Sequence, residues 1–188
     1  MLNLANCLTL FRILTIPIFL ELLAYHFYWE ALLVFAIGGF TDFLDGFVAR
    51  RMNQQTAVGA YLDPVADKLL VIASYIMLGS MGGIPVWLTV IVVARDILIV
   101  LGYGIIYVLV EERLQVRPSI IGKLSTALQL LTLAIALFTL HDARLISERV
   151  LDWFIAATAL ATVISGCQYL YRGLVWLQNR ASSITPPG

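Results

Sequence analysis

The sequence predicts an all-α integral membrane protein, with six transmembrane helices around a polar cavity near the cytoplasmic interface. Of its 188 residues, 61% are hydrophobic and 13% are charged, whereas soluble domains are about 45–50% apolar and about 25% charged. A globule of this size leaves too much of its surface in water to bury such an excess. Because one crossing takes about 20 residues, the chain has room for six helices and for no separate soluble domain.

Six hydrophobic runs, separated by glycine, proline and charged residues, predict the individual helices. They cover residues 8–25, 31–52, 59–78, 85–110, 121–140 and 150–170. The connections between them are short, so consecutive helices are expected to pack antiparallel. We therefore predict a single six-helix domain over residues 1–180, followed by a disordered tail over residues 181–188, where the sequence becomes polar and rich in proline.

Basic residues near the helix ends predict the orientation in the membrane. If the N-terminus is inside, the inner side carries Arg12, Arg50, Arg51, Arg113, Arg117, Lys123, Arg172 and Arg180, and the outer side carries Arg144 and Arg149. Both termini are therefore expected in the cytoplasm. No presequence precedes the first run, so we expect a prokaryotic plasma membrane. The twelve basic and twelve acidic side chains balance, which gives no sign of a nucleic-acid partner.

The second and third predicted helices contain four carboxylates in a stretch of 26 residues. Charged side chains at membrane depth are energetically costly, so those that occur there usually have a function. Asp42 and Asp45 are spaced i, i+3, and Asp63 and Asp67 are spaced i, i+4, so each pair lies on one side of its helix. Four facing anions would repel one another without a cation between them. Because every ligand is an oxygen, the cavity is predicted to bind a hard cation such as magnesium, manganese or calcium, with room for two ions.

The acids belong to a longer pattern with eight fixed positions. It reads Asp42-x2-Asp45-Gly46-x2-Ala49-Arg50-x8-Gly59-x3-Asp63-x3-Asp67. This pattern resembles the full signature of the CDP-alcohol phosphotransferase family, whose members have six transmembrane helices, and the resemblance covers nearly the whole chain. An Asn-x2-Thr-x2-Arg stretch that is common upstream of the signature is matched by Asn6, Thr9 and Arg12.

The resemblance implies an enzyme that transfers a substituted phosphate from CDP-diacylglycerol to an alcohol. It implies two ions, Mg²⁺ or Mn²⁺, that grip the CDP pyrophosphate and are held by Asp42, Asp45, Asp63 and Asp67. Asp67 is also the implied base that takes the proton of the alcohol. The implied CDP-binding residues are Asn6, Arg12, Gly46, Ala49, Arg50 and Gly59. Since the family often forms homodimers, a second copy of the chain is an implied partner, together with membrane lipids.

A second polar cluster is predicted to bind a phosphate of the acceptor. Arg95 interrupts an apolar helix, which favours a function or a buried ion pair, and Arg117 and Lys123 flank the start of the fifth helix. Arg95-Asp96 and the segment around Lys123 resemble the CMP-forming cardiolipin synthases more than the phosphatidylglycerophosphate synthases. Because few cations suit an acceptor with one phosphodiester charge, we expect phosphatidylglycerol as acceptor, with glycerol 3-phosphate as the alternative.

An ion or proton carrier is a more remote alternative, since carriers also hold carboxylates within the membrane. Transporters more often have repeated halves and broken helices, and the sequence indicates neither. The complete set of acids therefore favours an enzyme.

Overall fold

The computed structural model is helical over the part of the chain that it describes. The backbone is described at residues 4–39, 57–110, 119–144 and 146–184, and the side chains at residues 13–39, 68–102, 119–144, 146–175 and 178. Within these ranges lie six helices: α1 (Leu4–Ala24), α2 (Tyr28–Gly39), α3 (Ala57–Ser80), α4 (Val86–Val110), α5 (Ile120–His141) and α6 (Glu148–Ile184). The all-helical prediction is confirmed, and the predicted continuation of α2 to residue 52 lies outside the described residues.

The helix bounds agree with the hydrophobic runs at most ends and differ by more than two residues at three, one of which is the start of α2 at Tyr28 instead of residue 31. Helices α3, α4 and α5 begin and end within two residues of their predicted bounds, whereas α1 begins four residues early, at Leu4. Helix α6 was predicted to end at residue 170 but continues to Ile184. The tail that was predicted to be disordered from residue 181 is therefore helical as far as Ile184. Hydropathy falls where a helix leaves an apolar environment, but its backbone hydrogen bonds continue beyond that point.

One apolar cluster of buried side chains holds the bundle together. It draws on every helix, and its fully buried members include Phe19 and Leu23 of α1, Tyr75 of α3, Leu88 of α4 and Leu133 of α5. Other large apolar side chains point outward, such as Trp153 and Leu160, which are 77% and 64% exposed. Apolar side chains on both the inside and the outside are expected of helices that are surrounded by lipid.

Two helical stretches among the described residues are long and apolar enough to cross a membrane, judged by length and composition. They are Ile120–His141 and Glu148–Val175. Three shorter apolar stretches accompany them, at Ile13–Ala24, Tyr28–Gly39 and Lys68–Ser80. This distribution is consistent with a membrane protein.

The turn between α1 and α2 meets the end of α5 at one end of the bundle. The ring of Trp29 lies 5.5 Å from that of His141 and 5.9 Å from that of Phe138, measured between centroids. His26 closes α1 with a φ of 64° in the left-handed region and stacks on Tyr28. Amphipathic aromatic rings favour the boundary between membrane and water, and the sequence assigns this end to the outer side.

Buried hydroxyl and amide groups form a seam between α5 and α6. The Oγ1 atoms of Thr132 and Thr158 are 2.7 Å apart, and Gln129 donates from Nε2 to Thr162 at 3.2 Å. The Tyr75 hydroxyl of α3 donates to the backbone carbonyl of Gln129 at 3.1 Å. Hydrogen bonds between helices fix their register in an apolar environment, so the seam ties α3, α5 and α6 together.

Candidate active site

The third helix carries two of the four predicted metal ligands. Asp63 and Asp67 both lie within α3, which is continuous from Ala57 to Ser80, so their backbones are one helical turn apart, as predicted. Gly59 lies one turn before Asp63 on the same helix. The side chains of these residues are outside the described part of the structure.

The second pair of acids lies beyond the described end of α2. That helix is described as far as Gly39, three residues before Asp42. Five predicted site residues, together with Arg117 of the acceptor cluster, fall in ranges that the structure does not describe: Asp42, Asp45, Gly46, Ala49 and Arg50. Asn6 and Arg12 lie on the backbone of α1, which packs against α3.

The donor chemistry of the four acids fits the metal that the family resemblance implies. All four are carboxylates, and oxygen donors are those that Mg²⁺ and Mn²⁺ prefer. Among the residues with described side chains, no group of three or more His, Cys, Asp or Glu could hold a metal ion. The predicted metal site therefore stays a prediction that rests on Asp42, Asp45, Asp63 and Asp67.

A buried ion cluster begins at the residue that follows Asp67. The Oδ1 atom of Asp96 on α4 accepts a hydrogen bond from Lys68 Nζ on α3 at 2.8 Å and one from Arg95 Nη1 at 2.7 Å. The Asp96 side chain is completely buried, and the Lys68 side chain is 23% exposed. One carboxylate oxygen thus joins two cations, and it connects α3 to α4 directly beside a predicted metal ligand.

The Arg95 guanidinium extends this cluster to α6. Its Nη2 donates to Ser165 Oγ at 2.8 Å, and its central carbon lies 5.8 Å from the centre of the Tyr169 ring. Gly166 packs against the Arg95 stem, since a Cβ at Gly166 would lie 3.7 Å from Arg95 Cγ. Arg95 is therefore held by groups from two helices.

The first turn of α5 lies against the same part of α6. A Cβ at Gly122 would meet the Tyr169 hydroxyl at 3.3 Å. Ser119 caps α5 by accepting a hydrogen bond from the Gly122 backbone N–H at 3.0 Å, which satisfies a donor that a helix start otherwise leaves unpaired. Tyr169 therefore lies close to both Arg95 and the first turn of α5.

Among the described residues, the ion cluster places two cations around one anion and leaves two polar atoms without a hydrogen bond. Lys68, Arg95 and Asp96 together amount to two cations and one anion. Within the described residues, Arg95 Nε and Asp96 Oδ2 are buried without a hydrogen-bond partner. Buried polar atoms of this kind are costly unless a partner satisfies them, so the cluster is chemically able to receive a further polar group.

The predicted acceptor residues have different environments. Arg95 is 5% exposed and paired, which confirms the expectation of a buried ion pair in the fourth helix. Lys123 is exposed on the first turn of α5, and Arg117 is outside the described residues. Whether the three bind one acceptor phosphate stays a prediction.

Four members of the cluster were not predicted as site residues: Lys68, Asp96, Ser165 and Tyr169. A signal for Lys68 was available, because it is a lysine inside an apolar helix that directly follows a predicted metal ligand. Ser165 and Tyr169 carry no such signal, since small polar and aromatic residues are common in membrane helices.

Comparison with known proteins gives one family over most of the chain. The sequence model of the family described as CDP-alcohol phosphatidyltransferase matches residues 2–165.

Several curated bacterial proteins are similar to the chain. A "Probable phosphatidylglycerophosphate synthase" of Mycobacterium tuberculosis is 34% identical over 178 residues, covering 92% of this chain and 82% of that protein. A "CDP-diacylglycerol--glycerol-3-phosphate 3-phosphatidyltransferase" of Bacillus subtilis is 32% identical over 186 residues, covering 90% of this chain and 94% of that protein. A protein of the same name from Blochmanniella floridana is 33% identical over 175 residues, covering 90% of both chains.

Proposed function

This chain belongs to the CDP-alcohol phosphatidyltransferase family, and we propose that it transfers the phosphatidyl group of CDP-diacylglycerol to glycerol 3-phosphate with release of CMP. The observation that carries this choice of acceptor is the set of relatives at 32–34% identity that match 90% or more of the chain. Two of them are named for glycerol 3-phosphate and one for phosphatidylglycerophosphate. They support the alternative acceptor of the sequence analysis better than its first choice, phosphatidylglycerol.

The ion cluster supports the same acceptor. The preference for phosphatidylglycerol rested on a small number of cations near the proposed acceptor site, and that count left out Lys68. Lys68 lies 2.8 Å from Asp96, so the cluster contains a second cation besides Arg95. A phosphate monoester carries nearly two negative charges near neutral pH, and it gains more from a second cation than a phosphodiester does.

The reaction needs positioning and charge neutralisation more than a reactive side chain. The acceptor hydroxyl oxygen attacks the phosphorus that carries diacylglycerol, and the bond from that phosphorus to the CMP oxygen breaks. In this proposal Asp67 accepts the hydroxyl proton, and Asn6, Arg12, Gly46, Ala49, Arg50 and Gly59 bind CDP. Divalent metal held by Asp42, Asp45, Asp63 and Asp67 would neutralise charge on the pyrophosphate.

The proposed site lies at the inner membrane interface, with six crossings and both termini in the cytoplasm. The acyl tails of CDP-diacylglycerol stay in lipid, whereas cytidine and glycerol 3-phosphate come from water. The boundary is the place where all of these groups can meet. The excess of basic residues on the predicted inner side supports this orientation.

An acceptor panel tests the proposal. Purified protein receives CDP-diacylglycerol, MgCl₂ or MnCl₂, and one of glycerol 3-phosphate, phosphatidylglycerol, inositol phosphate or serine, and CMP release is followed. We expect CMP with glycerol 3-phosphate and none above background with the others. Removal of metal by a chelator should abolish release, and added MgCl₂ or MnCl₂ should restore it.

Each arm of the panel has a contrary outcome. CMP release with phosphatidylglycerol alone would restore the first choice of acceptor. CMP release that persists at full rate in chelator would contradict the metal-dependent mechanism. No release with any acceptor would remove the proposed function itself.

A further inference from the structure

The contact between Lys68 and Asp96 ties α3 to α4 at the turn that carries Asp67. Lys68 follows Asp67 directly, and its Nζ lies 2.8 Å from Asp96 Oδ1, 28 residues further along the chain. Successive residues of a helix are separated by a fixed rotation and a rise of 1.5 Å. A side chain held at position 68 therefore restricts the rotation of the helix at position 67.

A second contact on the same side of α3 strengthens this restraint. Tyr75 lies seven residues after Lys68, which is two helical turns, so both side chains leave the same side of the helix. The buried Tyr75 hydroxyl donates to the Gln129 carbonyl of α5, and the Tyr75 carbonyl accepts from the Thr89 hydroxyl of α4 at 3.1 Å. Of the two tethered positions, Lys68 is the one next to the acids.

Among the described residues, Asp96 is an anion that Lys68 and Arg95 share. Lys68 Nζ and Arg95 Nη1 lie 2.8 and 2.7 Å from the same oxygen, so the two cations are within about 5.5 Å of each other. Without the carboxylate, like charges at this range would repel in a site that water only partly reaches. Arg95 is also fixed by Ser165 at 2.8 Å.

We propose that Asp96 is a positioning residue: by holding Lys68, it fixes the rotation of α3 and thereby the alignment of Asp63 and Asp67 as metal ligands. The inference rests on the proposed function, because it takes these acids as ligands of the metal. Asp96 does not touch the metal or the substrate in this proposal and acts through Lys68 alone. Groups that orient metal ligands typically change metal affinity 10–100-fold when they are lost.

Binding of manganese without substrate gives a direct test. Purified protein is titrated with MnCl₂ alone, and the midpoint of thermal unfolding is recorded, since a ligand that binds the folded state raises it. We expect Asp96→Asn to need about tenfold more MnCl₂ than the wild type for the same increase. The MnCl₂ concentration at half-maximal CMP release should rise by a similar factor, with a smaller change in the rate at saturating metal.

Lys68→Met tests the same contact from its other end. It leaves Asp96 paired with Arg95 and removes the connection from Asp96 to α3, so it serves if Asp96→Asn does not fold. Lys68→Met should raise the MnCl₂ concentration needed for a given increase in the unfolding midpoint as much as Asp96→Asn does. In the double variant the two effects should not add, because each removes one shared interaction.

Thr158→Val is the matched control, because it removes a buried hydrogen bond of α6 without touching α3. It should lower the unfolding midpoint in the absence of metal and leave the manganese requirement unchanged. The proposal would be overturned if neither Asp96→Asn nor Lys68→Met changed the MnCl₂ concentration that raises the unfolding midpoint. It would also be overturned if Thr158→Val changed that concentration equally, or if manganese did not stabilise the wild type. A wild type that manganese stabilises but that releases no CMP would contradict the proposed function and leave this test in force.

Discussion

Arg95 and Asp96 show how a charged residue within an apolar helix can be interpreted from sequence. The sequence predicted that Arg95 has a function or a buried partner, because an isolated charge is costly in a membrane, and the structure confirms the buried pair. It could not identify Lys68 or Ser165 as members of the cluster. They lie 28 and 70 residues from their partners in the chain, and only the packing of three helices brings them together.

Asp67 is the residue whose loss should affect the chemistry most. We expect Asp67→Asn to lower the rate of CMP release at least about 100-fold, because general bases contribute about 10²–10⁴-fold to rate and the same carboxylate is a proposed metal ligand. The measurement is initial CMP release at saturating glycerol 3-phosphate and metal.

Asp152→Asn provides the matched control for Asp67→Asn. Asp152 is an exposed carboxylate near the start of α6, at the end of the bundle that is predicted to lie outside. The Asp152→Asn variant should release CMP at a rate close to that of the wild type. A rate for Asp67→Asn that equals the control would remove Asp67 from the proposed mechanism.

The helices themselves were largely predictable, because hydrophobic runs mark the segments that must leave water. The bounds of α3, α4 and α5 follow those runs to within two residues. The end of α6 did not follow, since residues 171–184 include charged and polar side chains and still continue the helix. Hydropathy indicates whether a segment lies in an apolar or an aqueous environment. It does not predict where a helix ends, because the backbone hydrogen bonds of a helix can continue from one environment into the other.

The hairpin of α3 and α4 depends on a close approach at Gly79. A Cβ at this position would lie 2.5 Å from Thr89 Oγ1, and that hydroxyl is held by the Tyr75 carbonyl. We expect Gly79→Ala to destabilise the protein by about 1–3 kcal/mol through overpacking. Thermal unfolding in detergent measures the change.

Gly102→Ala on α4 is the matched control, because a Cβ there meets no described atom within 4 Å. It should leave stability unchanged or raise it by up to about 1 kcal/mol, since alanine suits a helix better than glycine. If the clash is the cause, Gly79→Ala combined with Thr89→Ala should be no less stable than Thr89→Ala alone. Equal effects of the two glycine substitutions would contradict the close approach.

For the whole molecule, the sequence predicts which chemical groups would form the metal site, and this stays a prediction, but it gives no arrangement for them. Four carboxylates at helical spacing indicate a hard metal without any coordinates, and the family follows from the pattern that contains them. The acceptor was harder to predict, because it depends on the number of cations that reach one point. Lys68 was left out of that count: the sequence marks it as a lysine inside an apolar helix but does not relate its position to that of Arg95.

The orientation of the bundle can be tested with single cysteines. After replacement of Cys7 and Cys167, Ser147→Cys at the start of α6 should react with a membrane-impermeant maleimide on intact bacterial cells. Gln178→Cys near the other end of α6 should react only after the cells are permeabilised, because the basic residues predict that this end is inside. Labelling is followed by a mass shift on a gel.

The two cysteine positions control for each other, since both are exposed and lie near opposite ends of α6. The reverse labelling pattern would invert the predicted topology. Equal labelling of both positions on intact cells would contradict a crossing by α6.

The length of α6 has a practical consequence for imaging. Its 37 residues span about 55 Å at 1.5 Å per residue, whereas the hydrocarbon layer is about 30 Å thick. If α6 crosses the membrane, part of it extends past the hydrocarbon as a continuous helix. A rigid protein joined in helical register after Ile184 would keep a fixed orientation relative to the bundle, and it would supply the mass outside the detergent micelle by which images of so small a membrane protein are aligned.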